Sequence, residues 1–388
     1  MGIQRFVLYC NWGVYKEKNG EGFWISSIHK IYLDELRKRY SEVVLISKAR
    51  NNKSNDFDAY ILCSDVQILT LPWFGSYMSG SKYLPDIWNA ARGCNVANTF
   101  IYVRTFEPGG WIFGVLCKKA VVNYHFIAEP ISAILTNARM SKIKKWLRLI
   151  VFYPEYLLTC LIASFNKSTC NGPVPKKSLP FFVKNKVKEV IESPINDCIN
   201  YTNGTIEKRG IKRILFVGYI RPSKGVDVLL DSMFILNSRG YTDWQLFLVG
   251  DGEFLSYSKK RTNELGLSDK VFFEGYIPFG EGLFEKYSSS EIFVNPSLSE
   301  TGPRVLLEAM SFGAYCISTD VGYSRYLIGD NERGKLVPVS NSESIAESII
   351  EYMDNIETPQ IKERISKGVK FSRSHTISKF FDNLINDQ

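Results

Sequence analysis

Apolar residues along the chain come in short runs, separated by stretches whose apolar positions repeat at helical spacing. Residues 5–10 (RFVLYC) predict a buried first strand. Residues 11–24 (NWGVYKEKNGEGFW) form a polar loop that holds Gly13, Gly20 and Gly22. Residues 25–40 then place Ile28, Ile31, Tyr32 and Leu36 on one helical face, and residues 43–47 predict a second strand. A strand, glycine loop, helix and strand in this order open a Rossmann-like half. The loop has no GxGxxG fingerprint, which weighs against a dinucleotide. Apolar runs recur at residues 59–63, 66–71, 100–105 and 120–126, with helical stretches near 80–92, 109–118 and 129–150. Such alternation predicts a parallel sheet covered on both faces, with ligands at the carboxyl ends of its strands. His125 sits at one such end.

Residues 181–210 are rich in Lys and Asn and lack apolar periodicity, so they read as the end of the first domain and a linker. A second strand–helix alternation runs from residue 211 to about 354. Helices over 358–371 and 375–386 follow. The fold class is therefore α/β with two Rossmann-like domains. The expected division is residues 1–200, then residues 201–371, with residues 372–388 joining the first domain.

Residues 142–165 (KIKKWLRLIVFYPEYLLTCLIASF) combine basic residues with a dense apolar and aromatic stretch. Pro154 is expected to break it into two short helices, neither able to span a membrane. Two readings stand: a core helix with a solvated basic end, or an amphipathic helix on an anionic bilayer. The remaining totals narrow the class. The net charge of +8 favours anionic partners. The basic residues are spread along the chain without a nucleic-acid module, so no nucleic-acid partner is expected. Eight cysteines without CxxC pairs suggest reduced thiols, not a disulfide frame or zinc site. The first residues enter a strand without a signal peptide's apolar core, and no apolar run reaches about 18 residues. A cytoplasmic protein, peripheral on the membrane at most, is expected.

The densest chemistry lies in residues 296–313, PSLSETGPRVLLEAMSFG. A polar turn with Glu300, Thr301 and Gly302 leads to Pro303, well placed to open a helix. Glu308 lies about a turn and a half inside that helix, among Leu306, Leu307, Ala309 and Met310. A helix start is an anion site, and glycine lets backbone approach a ligand. The paired Glu300 and Glu308 within SETGPRVLLEAM resemble the signature of the retaining glycosyltransferases of family 4, nucleotide-sugar enzymes of the GT-B fold. Upstream, ILFVGYIRPSKGVDVLLDSM (214–233) is similar to the family's strand, glycine turn and Lys-Gly helix start. LFLVGDGE (246–253), VFFEGYIP (271–278), STDVGYSRYLI and GKLVPVSNSESIAESI continue the likeness in order.

The resemblance implies two Rossmann-like domains facing each other across a cleft, with a C-terminal helix crossing back to the first. It implies a nucleotide-sugar donor of UDP or GDP type on the second domain. Glu308 would accept hydrogen bonds from the ribose, and Glu300 from the donor sugar. Thr301, Gly302, Pro303 and Arg304 would form the turn under sugar and phosphate. Gly218 and Tyr219 would border the donor, and the backbone at Tyr276 and Ile277 would meet the base. Lys224 and Arg221 would neutralise the leaving pyrophosphate, with no metal or other cofactor required. His125 would face the donor sugar, and the Gly20–Gly22 loop would lie near acceptor and phosphate. The family commonly carries Arg directly after the turn glycine, where this chain has Tyr219. Either Arg221 takes over that charge or the phosphate contact is weaker.

The function implied is transfer of a sugar to a glycan or lipid-linked acceptor in polysaccharide or glycolipid synthesis. A GT-B glycan phosphorylase and a non-catalytic nucleotide-binding scaffold are the alternatives. Chain length and a ribose-directed Glu308 argue against the first, and the presence of both glutamates against the second.

Overall fold

The computed structural model describes residues 2–17, 20–136, 140–196 and 210–386. Two compact units divide the chain, Met1–Ile191 and Glu192–Gln388. The division falls slightly before the expected one. The last helix, Ile377–Ile385, is grouped with the second unit, where the Ile377 N–H donates to the Ile195 carbonyl at 2.8 Å. Within the stretch 181–210, Phe181–Lys184 forms a short helix and Lys188–Val190 a strand, and 197–209, with Cys198, lie outside the described residues.

The first unit contains β1 (Arg5–Tyr9), β2 (Val14–Tyr15), β3 (Gly22–Ile25), β4 (Glu42–Arg50), β5 (Ala59–Leu62), β6 (Gln67–Leu71), β7 (Thr99–Thr105), β8 (Val121–Phe126), β9 (Lys167–Asn171) and β10 (Lys188–Val190). The order β6-β4-β1-β7-β8-β9-β10 is parallel throughout. β1 and β7 are near-continuous apolar runs because both their faces are covered. The Ser27–Arg39 helix buries Tyr32, Leu33 and Leu36, and its last turn carries Arg37, Lys38 and Arg39 where the helix dipole favours cations.

The loop after β1 differs from the expected polar connection. It contains β2 and β3; β2 runs beside the end of β4, and β3 pairs antiparallel with β2 and β5. Gly22 belongs to β3, and a Cβ there would collide with the Ile61 carbonyl. Strand pairing therefore accounts for that glycine.

Pro154 does not break its stretch. Lys142–Ser164 is one helix of 23 residues with Pro154 inside. An interior proline costs about 3 kcal/mol. Phe152 and Tyr156 lie on either side of it, both buried in the core of this unit. Each such burial is worth roughly 1.5–3 kcal/mol, so packing outweighs the lost hydrogen bond. Among the described residues this is the one helix long and apolar enough to cross a membrane by length and composition.

The second unit contains β11 (Lys212–Val217), β12 (Trp244–Val249), β13 (Val271–Gly275), β14 (Ile292–Asn295), β15 (Tyr315–Thr319) and β16 (Lys335–Val337), all parallel in the order β13-β12-β11-β14-β15-β16. The Val226–Ser238 helix buries Leu229, Leu230, Met233 and Leu236 in this unit's core. In both units the first strand is central, and the order reverses beside it. The reversal falls between β11 and β14 in the second unit and between β1 and β7 in the first. Loops leaving two such strands diverge, and the crevice they leave is where open α/β sheets bind ligands.

Candidate functional site

The loops after β11 and β14 carry Lys224 and Glu300. Gly225 has a left-handed backbone (φ 65), and a Cβ there would run into the Pro296 carbonyl. Because no side chain stands between them, residues 222–225 lie against residues 296–298. The Leu298 N–H donates to the Ser223 carbonyl at 2.8 Å. This contact brings the Lys224 ammonium onto the Glu300 carboxylate as an ion pair. The side chains are only 15% and 12% exposed, and Ser297 Oγ donates to the same carboxylate at 3.3 Å. Seventy-six positions apart in sequence, the two charges become neighbours through one glycine.

Glu300, Thr301 and Gly302 form the turn ahead of the Arg304–Ser311 helix. Pro303 stands at the cap, one residue before its expected place, because its ψ of 86 is not helical. A Cβ on Gly302 would fall inside the ring of Tyr323. The Tyr323 N–H donates to the Thr301 carbonyl at 3.3 Å, so the loop after β15 backs the turn. Arg304 pairs with Glu192 at 3.4 Å.

Glu308 is 5% exposed, and its Oε2 accepts from the Tyr287 hydroxyl at 2.8 Å. Burial raises its pKa, against the opposing effects of the Tyr287 bond and the Arg304 charge. Tyr287 is itself held parallel to Phe312, with ring centroids 5.7 Å apart. Neither Tyr287, Tyr323 nor Glu192 stood out in the sequence. Only the glycine of the STDVGYSRYLI run pointed towards Tyr323.

The β11 loop is fixed by backbone pairing to the β12 loop. Gly218 N–H donates to Val249 at 3.0 Å and Ile220 N–H to Asp251 at 2.8 Å. Tyr219 points outward, with Glu253 hydrogen-bonded to its hydroxyl and holding its pKa up. Arg221 is exposed, and its side chain makes no hydrogen bond or ion pair among the described residues. Tyr276 is exposed and Ile277 half-buried, both directly after β13.

Three expected residues, His125, Gly20 and Gly22, belong to the first unit. His125 is fully buried in β8, its Nδ1 bonded to Thr169 Oγ1 at 2.8 Å and its ring tilted on Tyr102. Its carbonyl accepts from Thr105 Oγ1 at 3.0 Å. These contacts tie β7, β8 and β9 together. Gly20 accompanies Gly22 at the start of β3, its N–H bonded to Glu17 at 3.1 Å. Among the described residues, no group of three or more His, Cys, Asp or Glu is placed to hold a metal.

Two Rossmann-like sheets, each with a central switch point, define the GT-B class of fold. The whole chain superposes on solved structures of that class. One is Anabaena Alr3699/HepE in complex with UDP-glucose, at a TM-score of 0.69 and 13% identity over 98% of both chains. Another is WaaG, a glycosyltransferase involved in lipopolysaccharide biosynthesis, at 0.64 and 13% over 98% of this chain and 100% of that one. Residues 204–368, which carry the Lys224–Glu300 pair and Glu308, match the model of the family described as glycosyl transferases group 1. The phosphatidyl-myo-inositol mannosyltransferase of Mycobacterium leprae is 30% identical over 146 residues, which is 37% of this chain and 38% of that protein. An uncharacterized glycosyltransferase of Haemophilus influenzae is 33% identical over 147 residues, 38% of this chain and 40% of that protein. The matches thus span about two fifths of the curated relatives' length.

Proposed function

We propose that the protein is a retaining glycosyltransferase that moves a sugar from a UDP- or GDP-linked donor to a glycan or lipid-linked acceptor. The observation that carries this is the Lys224–Glu300 pair at the β11/β14 switch point, beside the helix that presents Glu308. Before the donor arrives, each charge holds the other in place. A bound donor separates their tasks. Its pyrophosphate takes the Lys224 ammonium, and a sugar hydroxyl takes the Glu300 carboxylate. Glu308, oriented by Tyr287, accepts from the ribose. The bond from the anomeric carbon to phosphate breaks, and a bond to the acceptor oxygen forms on the same face. The acceptor's proton passes to the leaving phosphate. The growing negative charge is met by Lys224, Arg221 and the N–H groups of the Arg304 helix start, so no metal is needed.

Melting the protein with UDP, GDP, NAD and pyridoxal phosphate in excess EDTA tests the reading. A selective rise with UDP or GDP is expected, with turnover persisting in EDTA. A response to NAD or pyridoxal phosphate alone, or turnover that only Mg or Mn restores, would overturn it. Glu308→Ala is expected to weaken donor binding by roughly 1–3 kcal/mol, the range for a charge-assisted hydrogen-bond partner. Titration calorimetry with the responding nucleotide checks this, and unchanged affinity would leave Glu308 as a partner of Tyr287 only.

Membrane association on the cytoplasmic face belongs to the same proposal. One side of the Lys142–Ser164 helix, with Phe152, Tyr156, Cys160 and Ala163, is packed in the first unit. The opposite side exposes Ile143, Leu147, Ile150 and Leu161, and Phe165 follows at the cap. A helix with one face in protein lies in the interface plane instead of spanning. Lys142, Lys144, Lys145 and Arg148 add about 1 kcal/mol each near an anionic surface. The protein should sediment with vesicles containing phosphatidylglycerol and be released by salt. Ile150→Asp should weaken this about ten-fold, a loss of about 1.4 kcal/mol. Absence of binding at low salt would leave the exposed stripe without a lipid role.

A further inference from the structure

A pyrophosphate that draws Lys224 away leaves the Glu300 carboxylate without its ammonium. A chain of buried polar groups runs up to that carboxylate from the sheet. The pairing of β14 with β15 sets Asn295 beside Ser318. Asn295 Nδ2 donates to Ser318 Oγ at 3.0 Å, and Ser318 Oγ donates in turn to the Thr319 carbonyl at 3.0 Å. Ser318 has its one proton engaged and can only accept from Asn295, which fixes the orientation of the amide. Asn295 Oδ1 therefore faces Ser297, whose hydroxyl lies 2.8 Å from it. The same hydroxyl lies 3.3 Å from Glu300 Oε1, the oxygen that Lys224 holds. Asn295 is 3% exposed, and Ser297 and Ser318 are fully buried, so bulk water supplies no substitute for a lost partner.

A hydroxyl carries one proton, and this one has two acceptors. The backbone of Ser297 is held on every side. Thr319 Oγ1 donates to its carbonyl at 2.6 Å, the next N–H, of Leu298, is tied to Ser223, and the Pro296 carbonyl before it lies against Gly225. What can turn is the O–H bond. With Lys224 on Glu300, the carboxylate has a charged partner, and the shorter contact, to Asn295, takes the proton. With Lys224 on a phosphate, the carboxylate is a shielded charge that lacks a donor. A hydrogen bond to an ionised acceptor is about twice as strong as one between neutral groups. The proton then turns to Glu300, because the bond lost at Asn295 is the weaker of the two.

We propose that Ser297 is a positioning residue, whose hydroxyl turns from Asn295 to Glu300 when the donor draws Lys224 away and so keeps the carboxylate aimed at the donor sugar. This role rests on the glycosyl-transfer reading above and adds to it the group that secures Glu300 once its ion pair has opened. Ser297 acts through Glu300 and does not itself touch the reacting atoms. Asn295 is the resting place of the proton, and Ser318 keeps Asn295 turned to receive it. Only a proton changes partner, so the loop after β14 keeps its shape while the charges around it are exchanged.

Titration calorimetry on the full chain tests this, because Glu300 meets the sugar and not the nucleotide. The probes are UDP-glucose, UDP-galactose, UDP-N-acetylglucosamine and GDP-mannose, each set against its own free diphosphate. Ser297→Ala should weaken the tightest sugar nucleotide about ten-fold and leave the matching UDP or GDP within about two-fold. Ser297→Thr, which keeps the hydroxyl, should restore the lost affinity. In a Glu300→Ala background, Ser297→Ala should change nothing further, since the two residues act as one unit. A thermal melt of each variant, read beside the affinities, shows any loss of folded protein. If Ser297→Ala weakens sugar nucleotide and free diphosphate alike, or acts as strongly without Glu300 as with it, Ser297 only shapes the turn and the positioning role fails. If the wild type binds a sugar nucleotide and Ser297→Ala binds it equally well, the positioning role fails and the donor reading stands. If no sugar nucleotide binds the wild type, the donor reading itself fails.

Discussion

Lys224→Ala is expected to lower turnover by about 10²–10³, the range for one lost electrostatic donor at a developing oxyanion. Donor affinity should fall less, because the charge on the leaving pyrophosphate is larger in the transition state than in the bound donor. Lys224 is buried against Glu300, so the substitution also strands a carboxylate. Breaking a buried pair on one side costs up to about 3–5 kcal/mol. The two losses are separable. Glu300→Gln with Lys224→Ala removes the stranded charge and should recover melting temperature without recovering turnover. Arg221→Ala should approach the Lys224→Ala defect if Arg221 supplies the charge that Tyr219 lacks. Its exposure, and the lack of a side-chain hydrogen bond or ion pair among the described residues, leave the guanidinium able to reach a phosphate. Tyr219→Arg combined with Arg221→Ala should then restore the rate. Turnover near wild type in Lys224→Ala would mean that backbone N–H groups hold the phosphate instead.

Gly302→Ala should abolish most activity while leaving the fold intact. The added methyl would overlap the Tyr323 ring, which is fully buried and cannot retreat. The turn must therefore move, and it carries Glu300 and Thr301 away from the donor sugar. A displacement of about 1 Å at a reacting centre is worth roughly 10² in rate. The same change should spare the sheet, since Gly302 lies beyond β14 and ahead of the helix. Steady-state kinetics beside a thermal melt would show this as lost turnover with a small change in melting temperature. A variant with full turnover would mean that the turn does not position the sugar.

The sequence by itself determined the two parallel sheets and the residues of the donor loops. Strands buried on both faces must be near-continuous apolar runs, and β1, β7, β11 and β14 stand out in one dimension. Glycines such as Gly225 and Gly302, and the carboxylates near them, are local facts. What those residues touch is not. Lys224 meets Glu300 only because strands distant in the chain lie side by side, and because Gly225 lets one loop rest on the other. The same limit hid Tyr287 behind Glu308 and Tyr323 behind Gly302, since both contacts cross between elements. His125 shows the converse: its place at a strand end was legible, but its burial against Thr169 was decided by β9, a strand too polar to announce itself. Pro154 follows the same rule. A local preference against helix gave way to Phe152 and Tyr156, whose burial depends on a core that only the folded chain assembles.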